Sequence, residues 1–256
     1  MTGAWARTVL VLAGSLAIYV ATALLGTVLT GDAIAGAAIS NLAVFILALA
    51  LRWRRTGTPL APPPQFRARS ISFWAAAAFG LVVCWLLGQT AAALAYDTFG
   101  SPAFDAANAA KAAGPIWLLL LTSLFLAPLG EESLIRGIAY PVLRRHWPPL
   151  ASAFVTSMVF ALLHGNLVQI ALTIPLGMVL AAVYEATERL WPVIIMHVIF
   201  NMTSTFVPRS FIEGISRPAV VVALIVATGL VLFALSPARY RAEGLEVEKS
   251  TGHPAG

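Results

Sequence analysis

The sequence predicts an all-α fold, a polytopic membrane bundle of about eight transmembrane helices. Of the 256 residues, 59% are hydrophobic and only 11% are charged, and the mean hydropathy is +0.86. A soluble domain carries roughly a quarter of its residues as charges. The apolar residues also fall in runs of roughly 17 to 25, the length a helix needs to cross the hydrocarbon of a bilayer.

In order, the runs lie at 8–29, 33–51, 71–95, 115–143, 150–164, 167–185, 192–207 and 218–235. The first follows a lone Arg7 with no small-residue cleavage site behind it, so a retained helix is expected rather than a leader. The fifth and seventh are short, and the fourth is longer than a span needs. Between the second and third lies a basic connector, 52–69, in which Pro62, Pro63 and Pro64 exclude a continuous helix and imply a stiff solvated linker. Residues 1–235 are expected to form a single bundle, centred functionally on about 115–206 for the reasons given below, and 236–256 a short polar tail. No soluble stretch is long enough to bury its own core.

Lys and Arg exceed Asp and Glu by 16 to 11, giving a pI near 9.9. The basic residues flank apolar runs rather than forming one patch, so topology explains them and a nucleic-acid partner is not implied. With the amino end in the cytoplasm, twelve fall on the inner side and three on the outer, leaving Arg136 within the membrane. Both termini are therefore expected in the cytoplasm. An Ala- and Arg-rich, Lys-poor composition points to a high-GC bacterium and its plasma membrane.

The single Cys84 lies inside a span and has no disulfide partner in the chain. Phosphate loops and dinucleotide fingerprints are absent, which argues against ATP-driven transport by this chain alone. Trp5, Trp53, Trp147 and Trp191 read as inner-interface anchors. His146 and His253 read as solvated, Glu185, Glu188 and Arg189 as a solvated helix end, and Asp97, Asp105 and Lys111 as an outer-loop mixture.

Against this background one stretch stands out. Ala127-Pro128-Leu129-Gly130-Glu131-Glu132-Ser133-Leu134-Ile135-Arg136-Gly137 places two carboxylates and a guanidinium in the middle of the fourth run, and ionisable groups at that depth are costly and usually functional. Glu132 and Arg136 have the i, i+4 spacing of an intrahelical ion pair. Neighbouring helical residues point about 100° apart, so Glu131 is left to face a cavity alone. Pro128 is expected to bend the helix or free a carbonyl just before the acidic pair.

Other polar groups reach a similar depth. At about 1.5 Å per residue, Glu131 lies roughly 18 Å from the inner end of its helix, and His164 roughly 21 Å from the same side on the next. His197 and Asn201 share a face of the seventh helix, and Phe160 lies one turn from His164 as a wall residue. Glu131 is suited to take a proton from water and pass it to a leaving amine, with His164 orienting that water. His197 and Asn201 are suited to donate to the developing oxyanion. Together the four fit peptide hydrolysis without a Ser or Cys nucleophile.

These residues resemble the CPBP intramembrane proteases, also called the Abi or CAAX amino-terminal protease family, related to the type II CAAX prenyl endopeptidases. Glu131, Glu132 and Arg136 match its Glu-Glu-x-x-x-Arg motif, Phe160 and His164 its Phe-x-x-x-His, and His197 and Asn201 its His-x-x-x-Asn. The resemblance covers about 115–201 and departs at Ile135, where many relatives place an aromatic residue. It implies an eight-helix bundle with a membrane cavity and the catalytic set Glu131, His164, His197 and Asn201. It also implies a membrane-associated peptide or protein, lipidated or not, as substrate, with membrane lipids as the surroundings.

The resemblance leaves metal dependence open: Glu131, His164 and His197 are the candidate ligands of a catalytic zinc. The His-Glu-x-x-His signature is missing, and using His197 as a ligand would remove it from the oxyanion side, which favours the metal-free reading. Two other classes compete: a proton-coupled transporter using Glu131, Arg136 and His164 as a relay, and a non-catalytic bacteriocin-immunity or regulatory membrane protein.

Overall fold

A computed structural model describes residues 2–56 and 70–236, and the described chain is helical throughout. The proline-rich connector beyond Thr56 and the polar tail with His253 lie outside the described residues. Five helices are long and apolar enough to cross a membrane: α1 (Thr2–Thr30), α2 (Ala33–Thr56), α3 (Ile71–Phe99), α5 (Ile116–Leu143) and α7 (Leu167–Thr187). Three shorter apolar helices, α6 (Pro149–Leu162), α8 (Leu190–Phe206) and α10 (Pro218–Ala234), occupy the other three predicted positions. Outward-facing side chains such as Val28, 80% exposed, and Leu10, 71% exposed, are what a lipid-facing surface requires.

Two helices occupy stretches expected as loops. In α4 (Pro102–Ala113) the Ser101 hydroxyl accepts from Phe104 N, Pro102 occupies the first turn, and Asp105 and Lys111 sit at the ends that the helix dipole favours. The loop reading is corrected for Asp105 and Lys111 by this helix and for Asp97 by the last turn of α3, and Asp105 also accepts from the Tyr96 hydroxyl at 2.9 Å. The second, α9 (Arg209–Ile215), is a short link between α8 and α10.

The main core forms where α3 runs along α7, with α8 and α10 closing it: Phe73, Ala77, Cys84, Leu176, Leu180, Val193 and Phe200 are all buried. The other half is the hairpin of α1 and α2, turned at Gly31 with φ 70° and capped by Asp32 Oδ1 on Ile34 N. Between the halves runs α5, whose Gly130 meets α2 so closely that a Cβ there would lie 2.4 Å from Asn41 Cα. Small residues at a helix crossing permit such approach in a membrane.

At the inner boundary two expectations change. His146 is half-buried rather than freely solvated, stacked on Trp5 at 4.1 Å with its Nε2 2.9 Å from Thr8 Oγ1. Glu185 is no loose helix end, because it receives Arg144 at 2.8 and 3.0 Å and the Tyr140 hydroxyl at 2.9 Å. Those hydrogen bonds hold the Arg144 guanidinium above its ordinary range, and they tie α5 to α7. Glu188 closes α7 in the left-handed region, with φ 52°.

Candidate active site

The site grows out of irregularities in α5. Two wide turns, Thr122–Leu126 and Ser133–Ala139, interrupt it, with Ala127 N bonding back to Thr122 O and Tyr140 N to Ile135 O. Each ends two residues before a proline, Pro128 or Pro141. A proline ring in a helix clashes with the carbonyl four residues earlier and donates nothing. A π turn placed just ahead relieves that clash, and such turns recur at functional sites.

The first wide turn also explains Asn201. With Ala127 N committed to Thr122 O, the Ser123 carbonyl could accept within the helix only from residue 128, which is proline and has no N–H. An orphaned carbonyl in a bilayer needs a partner. Asn201 Nδ2 supplies it at 2.8 Å, which ties α8 to the broken turn.

Below this, Glu132 and Arg136 are both 0% exposed and pair as their spacing predicts, Nη1 lying 2.9 and 2.8 Å from the two carboxylate oxygens. Arg136 Nη2 donates to Gly177 O at 2.7 Å, and its guanidinium carbon lies 5.6 Å from the centre of the Phe160 ring. The acidic partner is shared, since His197 Nδ1 donates to Glu132 Oε1 at 2.8 Å. His197 Nε2 is then turned toward Glu131, 3.8 Å from Oε2. The carboxylate thus fixes the ring orientation, an arrangement the i, i+4 pairing alone did not announce.

Glu131 is less enclosed, its side chain 16% exposed. With His164 it lines a cavity of about 60 Å³ whose other walls are Tyr19, Leu134, Ile135, Phe160 and Leu163. That space admits about four to six waters at some 10–15 Å³ each. Phe160 is the shared wall, edge-on to His164 at 5.1 Å and to His197 at 5.8 Å.

His164 does not lie within a helix as expected: α6 ends at Leu162, and His164 stands in the tight turn to α7. Gly165 takes φ 70°, where only glycine is unstrained, and Asn166 caps α7 by accepting from Gln169 N at 2.9 Å while donating to His164 O. The Gly165-Asn166 pair is a readable stop-and-start signal. The ring is fixed by Nδ1 at 3.0 Å from Phe160 O, and since a carbonyl only accepts, Nδ1 carries the proton and Nε2 is left as an acceptor.

The structure therefore brings Glu131 and His164 to one cavity and His197 to the back of Glu131, while neither His197 nor Asn201 lines that cavity. Tyr19 is a lining residue that the motifs gave no reason to choose. Among the described residues no three His, Cys, Asp or Glu side chains form a group able to hold a metal ion. As arranged, Glu131, His164 and His197 do not fit a three-ligand zinc site.

Comparison with known proteins bears on the same stretch. Residues 113–203 match the family described as "Type II CAAX prenyl endopeptidase Rce1-like". A 126-residue segment is 34% identical to the "Uncharacterized 24.3 kDa protein" of Escherichia coli, covering 48% of this chain and 55% of that protein. Another, of 84 residues, is 28% identical to the "Putative membrane peptidase YdiL" of Bacillus subtilis (strain 168), covering 33% of this chain and 34% of that one. The chain thus spans about half the length of the first relative and a third of the second. No solved structure matches it. The matched segment, 113–203, holds every residue of the three motifs, so what the chain shares with the Rce1-like family is the stretch that builds this site.

Proposed function

We propose that this chain is an intramembrane endopeptidase that hydrolyses a peptide bond of a membrane-associated peptide or protein through a water activated by Glu131. The observation that supports it is the shared cavity: a carboxylate and an imidazole acceptor face one water-sized space among apolar walls. Glu131 takes one proton of the water as its oxygen adds to the scissile carbonyl carbon, and His164 Nε2 accepts a hydrogen bond from the other. The carbonyl π pair moves onto oxygen and makes an oxyanion. Glu131 then returns its proton to the amide nitrogen, the C–N bond breaks, and a carboxylic acid and an amine leave.

In this reading the remaining motif residues position the base. His197, held by Glu132, backs Glu131; the Glu132–Arg136 pair and the Phe160 ring fix that assembly; Asn201 holds the wide turn ahead of it. In this reading the carboxylate itself activates the water. The cavity is too small to enclose a peptide chain, so the substrate lies across its mouth, near the exposed Leu162 and Leu163. A bacterial plasma membrane with both termini cytoplasmic completes the reading, supported by the twelve-to-three split of basic residues.

The test is Glu131→Gln, which keeps size and hydrogen bonding but cannot take the proton. Peptide termini in membranes holding the variant are compared by mass spectrometry with those from wild-type membranes at equal expression. Termini that disappear identify the substrate, and on it the rate falls about 10²- to 10⁴-fold, the usual worth of a general base. If every terminus persists in the variant, the reading fails.

A further inference from the structure

A second cavity lies at the end of the bundle opposite the Arg144–Glu185 pair. At about 170 Å³ it is nearly three times the size of the one beside Glu131, and it shares no lining residue with it. Its wall takes Trp85, Gln89 and Tyr96 from α3, Phe104 from α4, Ser204 from α8 and Glu213 from α9. Ala93, Val168 and Val207 belong to its apolar lining. From Trp85 to Tyr96 the space follows α3 for roughly 16 Å. In the proposed topology this is the outer face of the protein.

The polar lining groups are unequal in what they can offer. Ser204 Oγ accepts from Trp85 Nε1 at 3.1 Å and from Gln89 Nε2 at 2.8 Å, while its single proton goes to Phe200 O at 2.8 Å. That proton cannot also serve Gln89, so the amide must turn its nitrogen to Ser204 and keep Oε1 as an acceptor. The Tyr96 hydroxyl likewise gives its proton to Asp105 Oδ1 at 2.9 Å. Glu213, which is exposed, only accepts, and a carboxylate has about four acceptor positions to divide between protein and ligand. Apart from the second hydrogen on Gln89 Nε2, the remaining capacity of these side chains is acceptor capacity.

The rings add to the same bias. Tyr96 and Phe104 are half-buried and stand edge to face, with centroids 6.0 Å apart and planes at 66°. Aromatic faces attract a cation held within about 6 Å of the centroid. A carboxylate, an amide oxygen and ring faces together call for a positive ligand that donates, and the apolar lining calls for a carbon body on it. At some 10–15 Å³ per water the space holds about 11 to 17 waters, room for an ion of headgroup size.

We propose that this cavity binds an organic ammonium ion, its nitrogen beside Glu213 and the Tyr96 and Phe104 rings and its carbon chain directed toward Trp85. A free alkylamine and the amine headgroup of an outer-leaflet phospholipid share this chemistry. The inference is independent of the peptidase reading.

The experiment takes delipidated full-length protein in maltoside micelles and titrates n-butylammonium by calorimetry, with n-butanol and butyrate as neutral and anionic probes of the same length. The same protein, exchanged from vesicles of phosphatidylethanolamine or of phosphatidylglycerol, is weighed by native mass spectrometry. Saturable binding of butylammonium without retained phosphatidylethanolamine assigns the site to a free amine; retained phosphatidylethanolamine assigns it to the headgroup. In either case Glu213→Gln weakens binding about 10-fold or more, as for the loss of a charged hydrogen-bond partner, and Glu131→Gln leaves it unchanged. Ala93→Leu fills the space without touching a polar group and abolishes binding, in protein matched for folding by size-exclusion elution. Butanol bound as tightly as butylammonium, phosphatidylglycerol retained as well as phosphatidylethanolamine, or full binding by either cavity variant overturns the inference. So does a protein that binds neither amine.

Discussion

Replacing Arg136 by Met tests the buried assembly on which the base rests. The side chain is 0% exposed, contacts both oxygens of Glu132 at 2.8 and 2.9 Å, and donates to Gly177 O at 2.7 Å. Methionine fills much of the same volume but leaves Glu132, also 0% exposed, with His197 Nδ1 as its remaining hydrogen-bond donor. Breaking a buried pair by removing one member costs about 3–5 kcal/mol, most of it the stranded charge. Removing both charges together is far milder, so Glu132→Gln with Arg136→Met recovers most of the loss, and glutamine still accepts from His197. Equilibrium unfolding in mixed micelles of increasing SDS fraction measures the four corners of this cycle. A single-variant loss below about 1 kcal/mol, or a double variant as costly as the sum of the singles, refutes the buried-pair argument.

Other expectations follow from the same geometry. Asn201→Ala orphans the Ser123 carbonyl and costs about 1–3 kcal/mol; in a Pro128→Ala background, where residue 128 regains an N–H, the cost shrinks, and an equal cost in both backgrounds contradicts the account of the wide turn. Gly130→Ala puts a Cβ 2.4 Å from Asn41 Cα on α2, so α2 and α5 must separate. The same unfolding assay should show a loss of about 1–3 kcal/mol, the usual cost of overpacking, and an unchanged midpoint contradicts the close contact.

Much of this was legible in the chain. Hydropathy located every apolar helix because a bilayer asks little of a sequence beyond length and apolarity. Spacing alone paired Glu132 with Arg136, since i and i+4 meet on any helix. What escaped depends on partners far away in sequence. The wide turns are set by Pro128 and Pro141, yet the role of Asn201 emerges only when α8 lies beside the carbonyl that Pro128 orphans. His197 goes to Glu132 because the ion pair still has acceptor capacity to spare, which no spacing rule reports. Tyr19 had no motif around it, and it reaches the cavity only through the packing of α1 beside α5. The carboxyl end of α6 was placed at His164 instead of Leu162, although Gly165 and Asn166 mark the stop, because the apolar run itself extends to Leu163.

The central claim is that Glu131 is the base. Its most direct measurement takes purified wild-type and Glu131→Gln protein in liposomes with the substrate defined by terminus comparison, and follows single-turnover cleavage. The account predicts a rate lowered about 10²- to 10⁴-fold with unchanged substrate binding and an unchanged unfolding midpoint. A Glu131→Gln protein that cleaves at the wild-type rate contradicts it.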